Sequence, residues 1–383
     1  MRRDQLKKYS NTFGLVKMTT GAKLHPMKLE KLEDYEKLPE DELVSRIKNL
    51  KSLMGSDLVI LGHHYQRPKI TSLSDFVGDS FGLSDKASKS SGKNIVFCGV
   101  RFMAESAAIL CQPNQKVYHP DPDAGCPMAD MANMKQVTEA WEKITLAQNS
   151  SDKKVIPVTY MNSTADLKAF CGEREGIVCT SSNAQKTFEW AFQKSSKIFF
   201  FPDEHLGRNT GKKLGIDLDQ MILWDPAKPH GGTTPDQVRQ SKVILWAGHC
   251  PVHMEFKARD IKHVRKYFPN CKVIVHPECD KETVDLADAS GSTDFIVKYV
   301  AAQPPKSTTF VGTEVNLVTR LQAKYPDRRV FKLQRSLCLT MYQINLSNLC
   351  YTIDHLDQLE TVELSEAVKS NARVALDRML NLS

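Results

Sequence analysis

VILWAGHCPVH, residues Val243 to His253, joins a short apolar run to an abrupt stop at Ala247-Gly248 and then presents His249, Cys250 and His253. Four bulky apolar side chains in succession read as a strand covered on both faces, the pattern of a parallel sheet flanked by helices. Groups delivered just past the carboxyl end of such a strand are where α/β proteins bind small ligands. Soft and imidazole donors at that point suit metal or proton chemistry.

The same pattern recurs on either side. Leu58 to Leu61 leads to His63 and Tyr65, Val155 to Val158 leads to Tyr160 and Asn162, and Val273 to Val275 leads to His276 and Glu278. Further along come Val96-Phe97-Cys98-Gly99, Phe199-Phe200-Phe201-Pro202 and Phe310-Val311-Gly312, each followed by an acid: Glu105, Asp203 and Glu314. Each unit then runs on to a cysteine, Cys126, Cys250 or Cys338. The outer two units keep step: Gly99 follows His63 by 36 residues and Gly312 follows His276 by 36, and the cysteines follow these glycines by 27 and 26. The middle unit is longer, and the cluster Pro229, Gly231, Gly232 and Pro235 predicts a loop insertion near 227–240. A period of roughly 90 residues is too long for a solenoid. The predicted fold is α/β, with three αβα sandwich domains whose short parallel sheets are related by pseudo-threefold repetition around a central cavity.

The expected domains span 38–140, 150–250 and 251–340, after a polar extension over 1–37. Ala367, Val368, Ala375, Leu376 and Met379 stand at helical spacing, so 363–383 is predicted as an amphipathic helix packing on the first domain. A chain of 383 residues has room for two or three cores. The net charge of +7 comes from 52 basic against 45 acidic residues; it weakly favours anionic small molecules and gives no case for nucleic acid. No apolar run approaches the roughly 18 residues of a membrane span. The basic amino terminus lacks the apolar core of a signal peptide, so a cytoplasmic protein without a membrane anchor is expected. Ten cysteines in that setting are buried, catalytic or metal-bound rather than paired in disulfides.

Cys98, Cys271 and Cys350 lie in or beside apolar runs and read as core. Cys126, Cys250 and Cys338 are 124 and 88 residues apart, without the close pairs of a structural zinc site. From spacing alone they are either buried thiols or the ligands of an iron-sulfur cluster gathered from three domains. Cys171 and Cys179 carry no assigned chemistry. His63 and His276 end equivalent strands, and an imidazole titrating near neutrality can move protons. Tyr65 and Tyr160 can bond substrate oxygens, and Glu278 can serve as acid or base if burial raises its pKa. Gly78-Asp79-Ser80, Thr180-Ser181-Ser182 and Gly291-Ser292-Thr293 precede predicted helices and can offer hydroxyls and amides to an anion.

Ten segments carry a resemblance: GHHYQ (62–66), DFVGDS (75–80), FMAESAAIL (102–110), DAGCPMADM (123–131), TYMNSTADLKA (159–169), CTSSNA (179–184), FPDEHLGRNTG (201–211), GHCPVH (248–253), HPEC (276–279) and GSTDFI (291–296). In this order they resemble the quinolinate synthase family, the A protein of bacterial NAD biosynthesis. The resemblance implies three αβα domains around a pseudo-threefold axis and a [4Fe–4S] cluster held by three cysteines, with one iron open. By motif those ligands are Cys126, Cys250 and Cys338, with Cys350 a remote alternative to the last. It further implies condensation of iminoaspartate with dihydroxyacetone phosphate to quinolinate, losing phosphate and two waters. His63, Tyr65, Tyr160, His276 and Glu278 are then the catalytic candidates. Ser80, Asn162, Ser181 and Thr293 join His63, Tyr160, His276 and Glu278 in contacting substrate. Because iminoaspartate is unstable in water, proximity to an aspartate oxidase or dehydrogenase is expected. Two other readings share the cysteines: a cluster-dependent hydro-lyase acting on a small hydroxy acid, and a non-catalytic iron-sulfur sensor.

Overall fold

Three parallel sheets organise the chain; the computed structural model describes residues 29–148 and 154–382. The first contains β1 (Leu58–His63), β2 (Phe76–Gly78), β3 (Asn94–Cys98) and β4 (Lys116–Tyr118), in the order β2-β1-β3-β4. The second contains β5 (Ile156–Tyr160), β6 (Ile177–Cys179), β7 (Ile198–Phe201), β8 (Met221–Trp224) and β9 (Val243–Trp246), in the order β6-β5-β7-β9-β8. The third contains β10 (Lys272–Val275), β11 (Ala289–Ser290), β12 (Thr308–Gly312) and β13 (Arg329–Lys332), in the order β11-β10-β12-β13. Every pairing is parallel, and the outer sheets share one topology. Central strands such as β5, β7 and β9 are buried along their whole length because helices cover both faces.

The middle sheet departs from its neighbours by one strand. The loop insertion predicted near 227–240 is instead structured, as a 3-10 turn over Pro229–Gly232 and the helix Pro235–Gln240, whose cap Thr234 forms a capping box with Gln237, and β8 immediately precedes it. Apolar residues at Met221 and Trp224 let this segment add an edge strand beside β9 rather than loop through solvent.

The stop after β9 has a steric cause. A Cβ on Gly248 would lie 2.2 Å from the Pro202 carbonyl oxygen, so only glycine lets the chain turn there, and the Gly248 carbonyl accepts from the Glu204 N–H at 2.8 Å. Trp246 is fully buried at the strand's end, and its indole N–H donates to the Met131 carbonyl at 2.8 Å. Burial of such a ring contributes about 2–3 kcal/mol. It also ties the second unit to the turn that carries Cys126.

Two expectations about the ends of the chain are corrected. Residues 1–28 of the predicted polar extension lie outside the described residues, but Leu32–Glu36 forms a short helix. Its Tyr35 is fully buried and donates its hydroxyl to Asp354 Oδ2 at 2.5 Å. The final helix, Glu366–Leu380, packs chiefly on the helix Ala165–Glu173 and on β6 of the second unit, and less extensively on the helix Arg101–Leu110 of the first. Gly172 explains this choice: a Cβ there would stand 1.9 Å from the Asn371 carbonyl oxygen, so its absence permits the two helix backbones to touch. Arg378 then bonds the Gly176 carbonyl at 2.6 Å, while Arg373 reaches the Ile109 carbonyl of the first unit at 3.1 Å. Leu346–Asp354 also packs on the first unit, against Glu40–Met54.

Candidate active site

All twelve residues singled out in the sequence line one chamber: His63, Tyr65, Ser80, Cys126, Tyr160, Asn162, Ser181, Cys250, His276, Glu278, Thr293 and Cys338. The three sheets converge on it from their carboxyl ends, as expected for ligand sites in parallel α/β structures. Strand ends supply the imidazoles and phenols, and turns supply the rest. Ser80 and Thr293 are the first residues of helices whose caps are Asp79 and Ser292. Ser181 lies in the turn before the helix Ala184–Lys194.

The cysteines arrive by one device used three times. Cys126 caps Pro127–Asp130, Cys250 caps Pro251–Met254 and Cys338 caps Leu339–Gln343. Proline at the first helical position of two of these turns removes an N–H that would have no partner and leaves the next amides facing the sulfur. Burial lifts the thiols, Cys126 to about 12, Cys250 well above the usual range and Cys338 upward, while those amides pull the other way. Each is also raised by a charge on another of the three or on a nearby carboxylate. Thiols crowded like this stay protonated until a cation compensates them, so the donor set suits a metal group. Cys350 is fully buried in the apolar layer between Glu40–Met54 and the first sheet, away from the chamber.

His63 and His276 share a second device. The Tyr65 N–H donates to His63 Nδ1 at 3.2 Å, and the Glu278 N–H donates to His276 Nδ1 at 3.3 Å. With Nδ1 accepting, the neutral ring carries its proton on Nε2. Burial, followed by the neighbouring His64, Arg320 and His276, holds His63 well below the ordinary range. Burial and then His253 bring His276 to about 3. The expectation of imidazoles titrating near neutrality is therefore corrected: both rings are neutral N–H donors.

Glu278 is also corrected. Burial works to raise it, but the imidazoles of His276 and His253 and hydrogen bonds from His253 and Tyr160 outweigh that, bringing it to about 2. Tyr160 donates to Glu278 Oε1 at 2.5 Å, and His253 Nδ1 meets Glu278 Oε2 at 2.7 Å. An ionised carboxylate at that distance places the His253 proton on Nδ1 and leaves Nε2 as an acceptor. The Tyr65 hydroxyl lies 3.2 Å from Nε2 and 2.7 Å from Thr313 Oγ1. His253 stacks on His276 with ring centroids 4.2 Å apart. Tyr65 and Tyr160 are both pushed well above the ordinary phenol range, by burial and then by Glu278, and so remain donors.

His253 is thus a chamber residue that was not among the candidates drawn from the sequence. It sits three residues after Cys250, one helical turn on, and that spacing was the available signal. Thr313 had none beyond following β12. The acids after the third strands serve locally: Asp203 and Glu314 cap helices, and Glu105 accepts from the Ala165 N–H at 3.1 Å.

A buried chamber at the meeting of three parallel sheets, with neutral imidazoles, phenols and an ionised carboxylate beside three thiols, defines an α/β enzyme acting on small molecules. The family model for quinolinate synthetase A protein matches residues 45–381. The quinolinate synthase of Corynebacterium glutamicum is 48% identical over 356 residues, covering 91% of this chain and 90% of that one. Those of Herpetosiphon aurantiacus, 45% identical over 92% of this chain and 96% of its own, and Haloarcula marismortui, 43% over 95% and 100%, agree. The chain belongs to the quinolinate synthase family, enzymes of NAD biosynthesis. The hydro-lyase and sensor readings are not favoured. No helix among the described residues is long and apolar enough to cross a membrane.

Proposed function

We propose that this enzyme condenses iminoaspartate with dihydroxyacetone phosphate to quinolinate, releasing phosphate and two waters, and that Cys126, Cys250 and Cys338 hold a [4Fe–4S] cluster. The observation that carries the proposal is the convergence of one cysteine from each unit on the chamber that also holds the strand-end groups. Such a cluster supplies Lewis acidity toward substrate oxygens through the iron that lacks a protein ligand.

The chain's own residues account for the rest. Thr293 Oγ1 and Asn162 Oδ1 face the chamber with no partner among the described residues, so substrate can satisfy them. Ser80, Ser181 and Thr293 bring hydroxyls, and the first two turns after Asp79 and Ser292 bring helix amides, for carboxylate and phosphate. His63 and His276 donate from Nε2 to carbonyl and hydroxyl oxygens as charge develops there. His253 Nε2 can take a proton through the Tyr65 hydroxyl, and Glu278 keeps that imidazole oriented and stabilises it when it becomes charged. Tyr160, donating to Glu278, holds the carboxylate in place from the second unit. Together these groups move the protons that imine formation, keto–enol isomerisation and dehydration require. A cytoplasmic setting and supply of iminoaspartate by an aspartate oxidase or dehydrogenase complete the proposal, the second supported by the instability of that substrate in water.

The test is protein purified without oxygen, assayed for quinolinate and for iron and acid-labile sulfide. About four of each per chain, with quinolinate formed from the two substrates, is the expected result. Zinc in place of iron, or turnover without a triose phosphate, would refute it.

A further inference from the structure

An outer vestibule adjoins the chamber and shares Asp79 and Ser181 with it. Its wall carries two lysines, Lys213 and Lys298, and two aspartates, Asp79 and Asp294. The aspartates are engaged. Asp79 accepts from the Gly82 N–H at 2.8 Å and the Ser182 hydroxyl at 2.5 Å, and Asp294 meets His64 Nε2 at 2.6 Å.

Lys213 is held differently. It is the last residue of the helix Glu204–Lys213, and among the described residues its ammonium makes one long contact, 3.4 Å, to the Ser290 carbonyl. Among the described residues no carboxylate lies within ion-pair reach of it, whereas its neighbour Lys212 pairs with Asp285. Burial alone holds the Lys213 ammonium below its ordinary range. Its charge nonetheless reaches the chamber, where it disfavours protonation of His276. Beside it the Ser290 hydroxyl is buried without a partner among the described residues, and the Ser292 hydroxyl oxygen accepts from the Phe295 N–H at 3.3 Å, a bond that does not use its own O–H. Beyond Ser292 stands Thr293, 2% exposed, its Oγ1 unpartnered and facing the chamber.

A partly desolvated cation flanked by hydroxyl donors gains most from a group that concentrates charge and acceptors on one centre. A phosphate carries nearly two charges and three terminal acceptor oxygens, whereas each carboxylate carries one charge and two oxygens. We propose that Lys213 is a specificity-determining residue that receives the phosphate dianion at the vestibule, on the triose phosphate as it enters or as inorganic phosphate as it leaves. The inference rests on the quinolinate synthase reading and adds to it a site outside the chamber.

Lys213→Gln and Lys213→Arg, in cluster-loaded enzyme, test it by steady-state kinetics with each substrate varied and by inhibition with inorganic phosphate. In Lys213→Gln the KM for triose phosphate, the phosphate inhibition constant or both rise about tenfold, kcat falls less than about threefold, and Lys213→Arg recovers most of the loss. A rise in KM alone assigns the site to entry, and a rise in the inhibition constant alone assigns it to release. The idea fails if both constants stay within about twofold of the parent, or if the KM for iminoaspartate rises equally. A parent that makes no quinolinate counts against the proposed function instead. In that event broadening of the phosphorus resonance of inorganic phosphate by the parent, and its loss in Lys213→Gln, still decides whether Lys213 binds phosphate.

Discussion

The thiol-bearing turns and the strand ends of the chamber follow different rules. At the turns the three units are alike, each placing a cysteine at the cap of a short helix. At the strand ends they diverge: His63 and Tyr65 in the first, Tyr160 and Asn162 in the second, His276 and Glu278 in the third. The common backbone places six side chains equivalently, but their chemistry is not equivalent. His63 and His276 have their Nδ1 occupied by the backbone two residues on, whereas Tyr160 spends its hydroxyl on Glu278. Equal contributions suit a group that needs several similar ligands. Unequal ones suit two dissimilar substrates that must be told apart and joined.

The largest expected effect breaks the equal half. Cys126→Ser, Cys250→Ser or Cys338→Ser takes quinolinate formation to background and removes most of the iron, with the circular dichroism of the parent retained; Cys350→Ser keeps both iron and turnover. Iron retention in Cys338→Ser would show that the third unit does not contribute as the other two do.

The unequal half is probed by Glu278→Gln, which preserves shape but removes the charge that orients His253 and accepts from Tyr160. A fall in kcat of about 10² to 10³, with the KM for triose phosphate little altered, is expected from lost proton transfer. Turnover within about twofold of the parent would mean that the Tyr65–His253 pair needs no anion behind it.

The smallest effect is one of stability. His276 titrates near 3 in the fold but near 6.5 when unfolded. Between these values the unfolded chain binds the extra proton, so its contribution is complete above about pH 6.5 and is lost as pH falls toward 3. Urea unfolding of metal-free protein between about pH 5 and 6.5 should show a slope shallower by about 1 kcal/mol per pH unit in His276→Asn. An unchanged slope would place the His276 ring in contact with solvent and separate it from His253.

Much of the fold was legible because its signals are local. A strand covered on both faces must be apolar throughout, and helices between such strands repeat every three to four residues, so β1, β5, β9 and β10 announce themselves in runs of four to six residues. The inserted strand β8 was hidden because the glycines and prolines after MILW looked like an ordinary loop. The docking of Glu366–Leu380 was hidden too, since its apolar stripe says that the helix packs but not where. The answer lies in Gly172, a residue about 200 positions away whose missing side chain is meaningful only once another helix lies on it.

By itself, then, the sequence determined the three-unit α/β plan, the three cysteines and the strand-end residues that line the chamber, because each is encoded by a short pattern repeated along the chain. Only the tertiary structure decided the protonation and partnerships of those residues. Glu278 is ionised because Tyr160, 118 residues away, and His253, 25 residues away, both point hydrogens at it. Desolvation and hydrogen bonding oppose one another at a buried carboxyl, and which prevails depends on groups that distant segments bring within 3 Å.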